Sequence, residues 1–369
     1  MRRRLIIIGG AVIGLACLFL VSGGFAKPMA PILKVGVMTA DSGNLYFAGQ
    51  IQRAAAKLAV TDLAESVKVN LDFEDTGDSM SDLKNAVARV KAFDADVLLA
   101  PIESGAAKQV IQLTKSEPIP MIAPAALDDG LNPSAKPWLF RLTSSHSQDI
   151  ISLAEMISRD NPTSVLVAYS DDEYGKEAMR SIAFGLTVRG VPQVQVLAIS
   201  DVIAIKKAKP EVLVVASLEQ SIGFFEAVET WLPSVKDKYL VPGNMANYST
   251  YPWAKSLAGI QGILPQEFTT AEFRNRLALS LNRPALLSNP KSPIFALAWH
   301  TYEGITLAAQ ALLDSRNVSS EALRVSIFSS KVKGKPRFQS LGFIKAVDYT
   351  VYRYGSSGSY APAGVFSQN

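Results

Sequence analysis

Cysteine is all but missing from this chain. Cys17 is the only one in 369 residues, and it lies inside an apolar N-terminal run. A chain cleaved after that run has none, which excludes disulfides, thiolate catalysis and cysteine-bound zinc. Histidine is nearly as scarce, with only His146 and His300. There is no Gly-x-Ser-x-Gly elbow, no His-Glu-x-x-His pair and no glycine-rich phosphate loop carrying lysine. Asp75 and Asp78 could in principle do acid–base work, yet nothing in the sequence sets either against a substrate. Asp171, Asp172 and Glu173 cluster without the spacing of a calcium loop and read as a solvated turn. No catalytic residue, metal ligand or cofactor is therefore expected. A charge excess is missing too, with Lys plus Arg at 37 against Asp plus Glu at 33. No compact basic block is present, so no nucleic-acid partner is expected.

What is present begins with a leader. Arg2, Arg3 and Arg4 precede an uncharged apolar run over residues 5–21, and Gly24 and Ala26 supply the small residues a signal peptidase reads. Cleavage after Ala26 leaves 343 residues, carrying 34 basic against 33 acidic side chains. A signal peptide over residues 1–26 and a periplasmic location are the expectation. A retained membrane anchor is the alternative, because the run of 17 residues sits at the lower limit for a span. Gly9, Gly10 and Gly14 weaken it as a spanning helix. Gly14 also stands where a lipoprotein signal would place leucine, three residues before Cys17.

The remaining chain is too long for one small core and suits two lobes. Residues 32–38 form a β-branched run, and a helix carrying Ala54, Ala55, Leu58, Ala59 and Leu63 opens near Gly49. Val67, Val69, Leu71 and Phe73 alternate as a strand does, and Leu83, Val87 and Val90 repeat at helical spacing. Short apolar strands at 97–100 and 120–124 flank a helix over 105–115. The cycle restarts with strands at 164–169, 194–199 and 212–216 and helices over 175–189 and 220–231. Two further helices are expected over 292–314 and 319–328, and strands over 342–354. The fold class is α/β, two doubly wound parallel-sheet lobes with helices on both faces. Ligands of such sheets bind at the carboxyl ends of the strands.

The residues carry a resemblance to a known family. Val35 to Met38, then Ser42-Gly43 and Gly49, resemble the opening of the periplasmic solute-binding proteins of branched-chain amino acid and amide transporters. The acidic turn from Glu74 to Asp78, the loop from Pro101 through Ser104, Gly105 and Ala106, and Pro124-Ala125-Ala126 resemble further family segments. So do Phe140-Arg141 and the Asp171-x-x-Tyr174-Gly175 stretch. Their order and spacing over residues 32–191 carry the likeness.

That resemblance implies a type I binding-protein architecture with three chain crossings, near residues 143–146, 265–268 and 341–344. Lobe 1 would comprise 32–142 with 269–340, and lobe 2 would comprise 146–264 with 343–369. It implies a small-molecule solute held between the lobes, an inner-membrane ABC permease as partner and a monomer. The candidate ligand-binding residues are Ser42, Tyr46, Phe47, Ser104, Gly105, Ala125, Ala126, Leu127, Tyr174, Leu218 and Asn244. Bland roles stand beside several of them. Ser104 could cap the helix at Gly105. Ser42 and Asn244 could form turns, and Tyr46 and Phe47 could pack within a lobe. His300 reads as a packed side chain.

Departures from the family bear on the ligand. Leu127 stands where amino acid binders place a carboxylate-holding threonine. Gly243 stands where a glutamate accepts the ligand ammonium, and an aromatic that closes over the ligand is replaced near Leu218. A buried ammonium without its carboxylate costs several kcal/mol. The expectation is a solute without a free α-ammonium, such as an amide or an aromatic or short aliphatic acid. An exported sensor or interaction protein with no tight ligand is the alternative, and an enzyme is not expected.

Overall fold

The computed structural model describes residues 30–367 apart from 126–128, 132–136, 218–223, 225–226, 229, 243–257, 266–268, 289–292, 333, 340–341, 343, 345–347 and 356–359. The first strand, β1 (Ile32–Thr39), is buried on both faces, as its unbroken apolar run requires. Leu33, Val35 and Val37 enter one apolar cluster, and Met38 enters another on the opposite face. The helix α1 (Tyr46–Leu63) follows and contributes Ala56 and Ala59 to the first cluster. Then come β2 (Lys68–Asp75), α2 (Met80–Ala92), β3 (Val97–Leu99), α3 (Ser104–Leu113), β4 (Met121–Ala123) and β5 (Leu139–Arg141). The five strands form one wholly parallel sheet in the order β2-β1-β3-β4-β5.

A second sheet starts after residues 142–145. Its elements are α4 (His146–Arg159), β6 (Ser164–Tyr169), α5 (Glu173–Val188), β7 (Gln193–Ala198), α6 (Val202–Lys207), β8 (Val212–Ala216), β9 (Asp237–Leu240) and β10 (Gln261–Pro265). The strands lie in the order β7-β6-β8-β9-β10 and all pair in parallel. Ile150, Leu153, Ala154 and Ile157 bury one face of α4, a stripe at helical spacing. The chain then returns to the first body. Phe273 and Leu277 of α7 (Ala271–Ser280) pack with Ile51, Ala54 and Ala55 of α1 and with Phe295 of α8 (Pro293–Ser315). Leu323 and Ile327 of α9 (Ser320–Phe328) join the cluster of β1. Each fully buried Leu or Ile there stabilises by about 1.5–3 kcal/mol relative to exposure.

A small hairpin, β11 (Lys331–Val332) with β12 (Lys335–Pro336), precedes the last passage. The final strands, β13 (Asp348–Tyr354) and β14 (Tyr360–Ser367), extend the second sheet beyond β10. Both join antiparallel, so that sheet is mostly rather than wholly parallel. Pro362 lies in β14, the outermost strand, where a missing N–H is tolerated. The architecture is thus two doubly wound α/β lobes. The second is closed by strands from the chain's end and the first by helices from its penultimate stretch. Among the described residues no helix is long and apolar enough to cross a membrane.

Candidate functional site

A doubly wound sheet opens a crevice where its strand order reverses. In the first lobe that point lies between β1 and β3, with β4 next to β3. The loop after β1 carries Ser42, Tyr46 and Phe47, the loop after β3 leads into Ser104 and Gly105, and Ala125 follows β4. Val37 pairs in register with Leu99, and Leu99 with Ile122, so these three loops leave neighbouring strand ends. In the second lobe the reversal lies between β6 and β8. Tyr174 stands in the first turn of α5, directly after β6. Ala126, Leu127, Leu218, Gly243 and Asn244 lie outside the described residues.

The individual placements differ. Tyr46 is 53% exposed at the start of α1. Phe47 packs against the cluster of Ile51, Phe273 and Phe295, and the Arg283 guanidinium sits 4.7 Å from its ring centre. Ser42 is turned towards Asp75. Desolvation pushes the Asp75 carboxyl up, but donors from Gly77, the Ser42 side chain and the Asp41 and Ser42 backbones outweigh it and hold its pKa below the ordinary value. The backbone N–H groups of Asp41 and Gly77 donate to Asp75 Oδ1 at 2.9 and 3.0 Å. Asp75 therefore ties the two loops together and remains charged, a poor proton donor. Beside it lies a polar cavity of about 250 Å³ lined by Ser42, Asp75, Gly77, Asp82, Asn85 and Arg89.

Ser104 begins α3 rather than capping it, the cap position being Glu103. Neither α1 nor α3 has a side-chain N-cap hydrogen bond. Asp172 does cap α5, accepting from Gly175 N–H at 2.7 Å. The nearby Ser170 hydroxyl and the Gly175 N–H hold its carboxyl below the usual range. Asp171 pairs with Lys176 at 2.8 Å. The acidic run is thus a helix start. Among the described residues no group of three or more His, Cys, Asp or Glu side chains could hold a metal ion.

The sequence did not single out His146 as a site residue, and the fold places it beside Tyr174. It is the first residue of α4, immediately after the link between the sheets, and its ring centroid lies 4.8 Å from that of Tyr174. Ser145 accepts from Gln148 N–H as a helix cap, which puts residue 146 at a helix start on the strand-end side. His300 lies on α8 and donates from Nδ1 to the Pro124 carbonyl at 3.2 Å, next to Ala125. Burial pushes its pKa down, so it stays neutral and supports the loop.

The link between the lobes is also built from buried groups. Arg141 is fully buried at the end of β5, and its backbone N–H donates to the Gly342 carbonyl at 3.0 Å. The first and third passages therefore run side by side. Tyr349 of β13 donates its hydroxyl to Asp149 of α4 at 2.9 Å. The second passage falls in residues 266–268, outside the described residues.

Comparison with known proteins agrees with this geometry. A family model described as periplasmic binding protein matches residues 32–230. A curated relative, glutamate receptor 2.4 of Arabidopsis thaliana, is 22% identical over 340 residues, covering 82% of this chain. The chain spans only 36% of that receptor's length. A branched-chain amino acid transporter substrate-binding protein from Streptococcus pneumoniae, solved with isoleucine, superposes with a TM-score of 0.61 at 17% identity over 91% of this chain and 100% of its own. A solute-binding protein of an ABC transporter from R. palustris, solved with benzoate, gives 0.60 at 15% identity over 91% and 96%. These similarities establish the fold.

Proposed function

Because the chain belongs to the periplasmic binding protein family, we propose that it captures a small organic solute between its two lobes and delivers it to an inner-membrane ABC permease. The observation that carries this is the repeated winding. Both sheets present strand-end loops at a reversal point, and the candidate residues described in them leave those ends. Ser104, Gly105, Ala125 and Tyr174 form the proposed contact set, with Tyr46 at the rim and Ala126, Leu127, Leu218 and Asn244 completing it. Ser42 and Phe47 hold that wall in shape. Lobe 1 is 32–142 with 269–340, and lobe 2 is 146–264 with 343–369. The mature chain begins at Lys27 and works in the periplasm as a monomer.

The solute lacks a free α-ammonium. Leu127 donates no side-chain hydrogen bond, and Gly243 offers no carboxylate to a buried cation. A relative with this fold holds benzoate, in keeping with an aromatic acid here. Thermal-shift and calorimetric screening of the chain from Lys27 against benzoate, 4-hydroxybenzoate, benzamide, leucine and glutamate tests the proposal. A ligand raises apparent stability by mass action. The expected result is a rise with an acid or amide lacking the ammonium. Micromolar binding of leucine overturns the ligand class, and no rise with any probe overturns capture.

A further inference from the structure

We propose that His146 and Tyr174 together form the donor pair that receives the solute's carboxylate in the second lobe. This rests on the capture of a small acid argued above and names the residue that selects it. His146 opens α4 and Tyr174 lies in the first turn of α5, so both follow the carboxyl ends of strands, β5 and β6. Their ring centroids are 4.8 Å apart, with the planes tilted by 44°. Each ring is half-buried, and His146 Nε2 and Tyr174 Oη are both shielded from water. In this proposal a solute reaches these atoms as the lobes part and is sequestered when they return.

The chemistry of the pair selects the ligand. An imidazole N–H and a phenol O–H are donors. A carboxylate presents two acceptor oxygens, so two adjacent donors match it, whereas an amide presents one acceptor and two donors. Hydrogen bonds to an ionised acceptor are shorter and stronger than neutral ones. The tilted rings add apolar area for a flat body. Nor is the imidazole engaged in a metal cluster among the described residues. The site thus replaces the threonine that Leu127 has displaced, and moves the anionic anchor from the first lobe to the second.

Benzoate is the probe and benzamide its neutral counterpart. The variants are His146→Phe, which keeps a ring against Tyr174 and removes the donor, and Tyr174→Phe, which removes only the hydroxyl. His146→Gln is the third variant, the one that retains a donor at that position. With only two histidines in the chain, the His146 ring resonances are those lost in His146→Phe. The expected result is a benzoate-induced shift of those resonances. Benzoate binding should weaken about tenfold in His146→Phe and somewhat less in Tyr174→Phe, with partial retention in His146→Gln. Benzamide should bind weakly to all. Benzoate binding equally to wild type and His146→Phe, without a ring shift, overturns this inference and leaves solute capture standing. Benzamide binding as tightly as benzoate overturns the carboxylate assignment. If no probe binds wild type, capture fails and the inference fails with it.

Discussion

The two lobes use one winding and secure it differently. The sheet orders β2-β1-β3-β4-β5 and β7-β6-β8-β9-β10 are the same pattern met twice. In each, the helix after the first strand in sequence touches that strand's exit through a glycine. A Cβ on Gly49 of α1 would fall on the Ala40 carbonyl, and one on Gly175 of α5 on the Ser170 carbonyl. Each lobe also joins an early helix to a late element by a tyrosine–aspartate hydrogen bond. In lobe 1, Tyr302 of α8 donates to Asp62 of α1 at 2.9 Å, and Arg276 of α7 supports Asp62 with donors at 2.9 and 2.7 Å. In lobe 2, Tyr349 donates to Asp149 in the buried interior. The winding thus depends on local close approach, whereas closure depends on wherever the chain's last third happens to return.

The glycine equivalence is broken or upheld by Gly49→Ala and Gly175→Ala. In both cases the added methyl meets backbone, which cannot swing aside. Each change is expected to cost about 3 kcal/mol, the upper range for overpacking. Chemical denaturation followed by tryptophan fluorescence and far-ultraviolet dichroism checks both. A neutral Gly175→Ala beside a crippled Gly49→Ala would show that only the first lobe is wound this tightly.

The closure contrast predicts a smaller loss. Tyr349 is fully buried, and its hydroxyl donates to Asp149 at 2.9 Å. Burial, with Asp149 beside it, pushes the phenol pKa far up, so the hydroxyl stays a donor at every working pH. Tyr349→Phe removes a buried hydrogen bond to an acid and should cost about 2 kcal/mol. An unchanged denaturation midpoint would place the closure of lobe 2 in the β13–β14 packing alone.

Acid should distinguish the lobes as well. Burial lowers the His300 pKa in lobe 1, Arg337 adds to this, and Glu303 and the Pro124 carbonyl oppose it. The unfolded chain therefore binds the proton more readily than the folded one. This contribution is fully present above the unfolded pKa of about 6.5 and is lost as pH falls through the lower folded value. His300→Gln keeps a donor for Pro124 and cannot titrate. Melting curves from pH 7.5 to 4.5 should show the wild type losing more stability than the variant. Parallel curves would mean that the imidazole binds its proton as readily in the folded chain as in the unfolded one.

Much of the winding was legible in the sequence because buried parallel strands and amphipathic helices leave strong periods. The strands expected at 164–169 and 212–216 have those bounds in the fold. The helix α1 starts at Tyr46, three residues before Gly49. The glycine suggests a helix start in the sequence, but it is the fourth residue, where the helix presses on Ala40. The strand β14 escaped notice because Pro362 and Gly364 argue against a strand, and only its edge position tolerates them. Short β9 and the mixed sequence of α7 left weak periods. The position of His146 against Tyr174 is a tertiary fact. Residues 28 apart in sequence meet there because α4 and α5 pack side by side, and no local pattern records it.

The smallest effect tests the open side of the comparison. Tyr302 and Asp62 meet near the surface, with the Asp62 and Arg276 side chains 31% and 33% exposed. The Arg276 and Tyr302 donors hold the Asp62 carboxyl below its ordinary pKa, against some desolvation. Removing the Tyr302 hydroxyl leaves the two-pronged arginine contact in place, and water replaces the lost donor. The ring itself stays stacked on Trp299, at 5.5 Å between centroids. Tyr302→Phe is therefore expected to cost about 0.5 kcal/mol, shrinking as salt is added. The same deletion in Tyr349→Phe should be several times larger and indifferent to salt, because no water reaches that site. Equal losses in the two variants would mean that exposure is not what separates the closures, and that the contrast lies in the apolar packing around each ring.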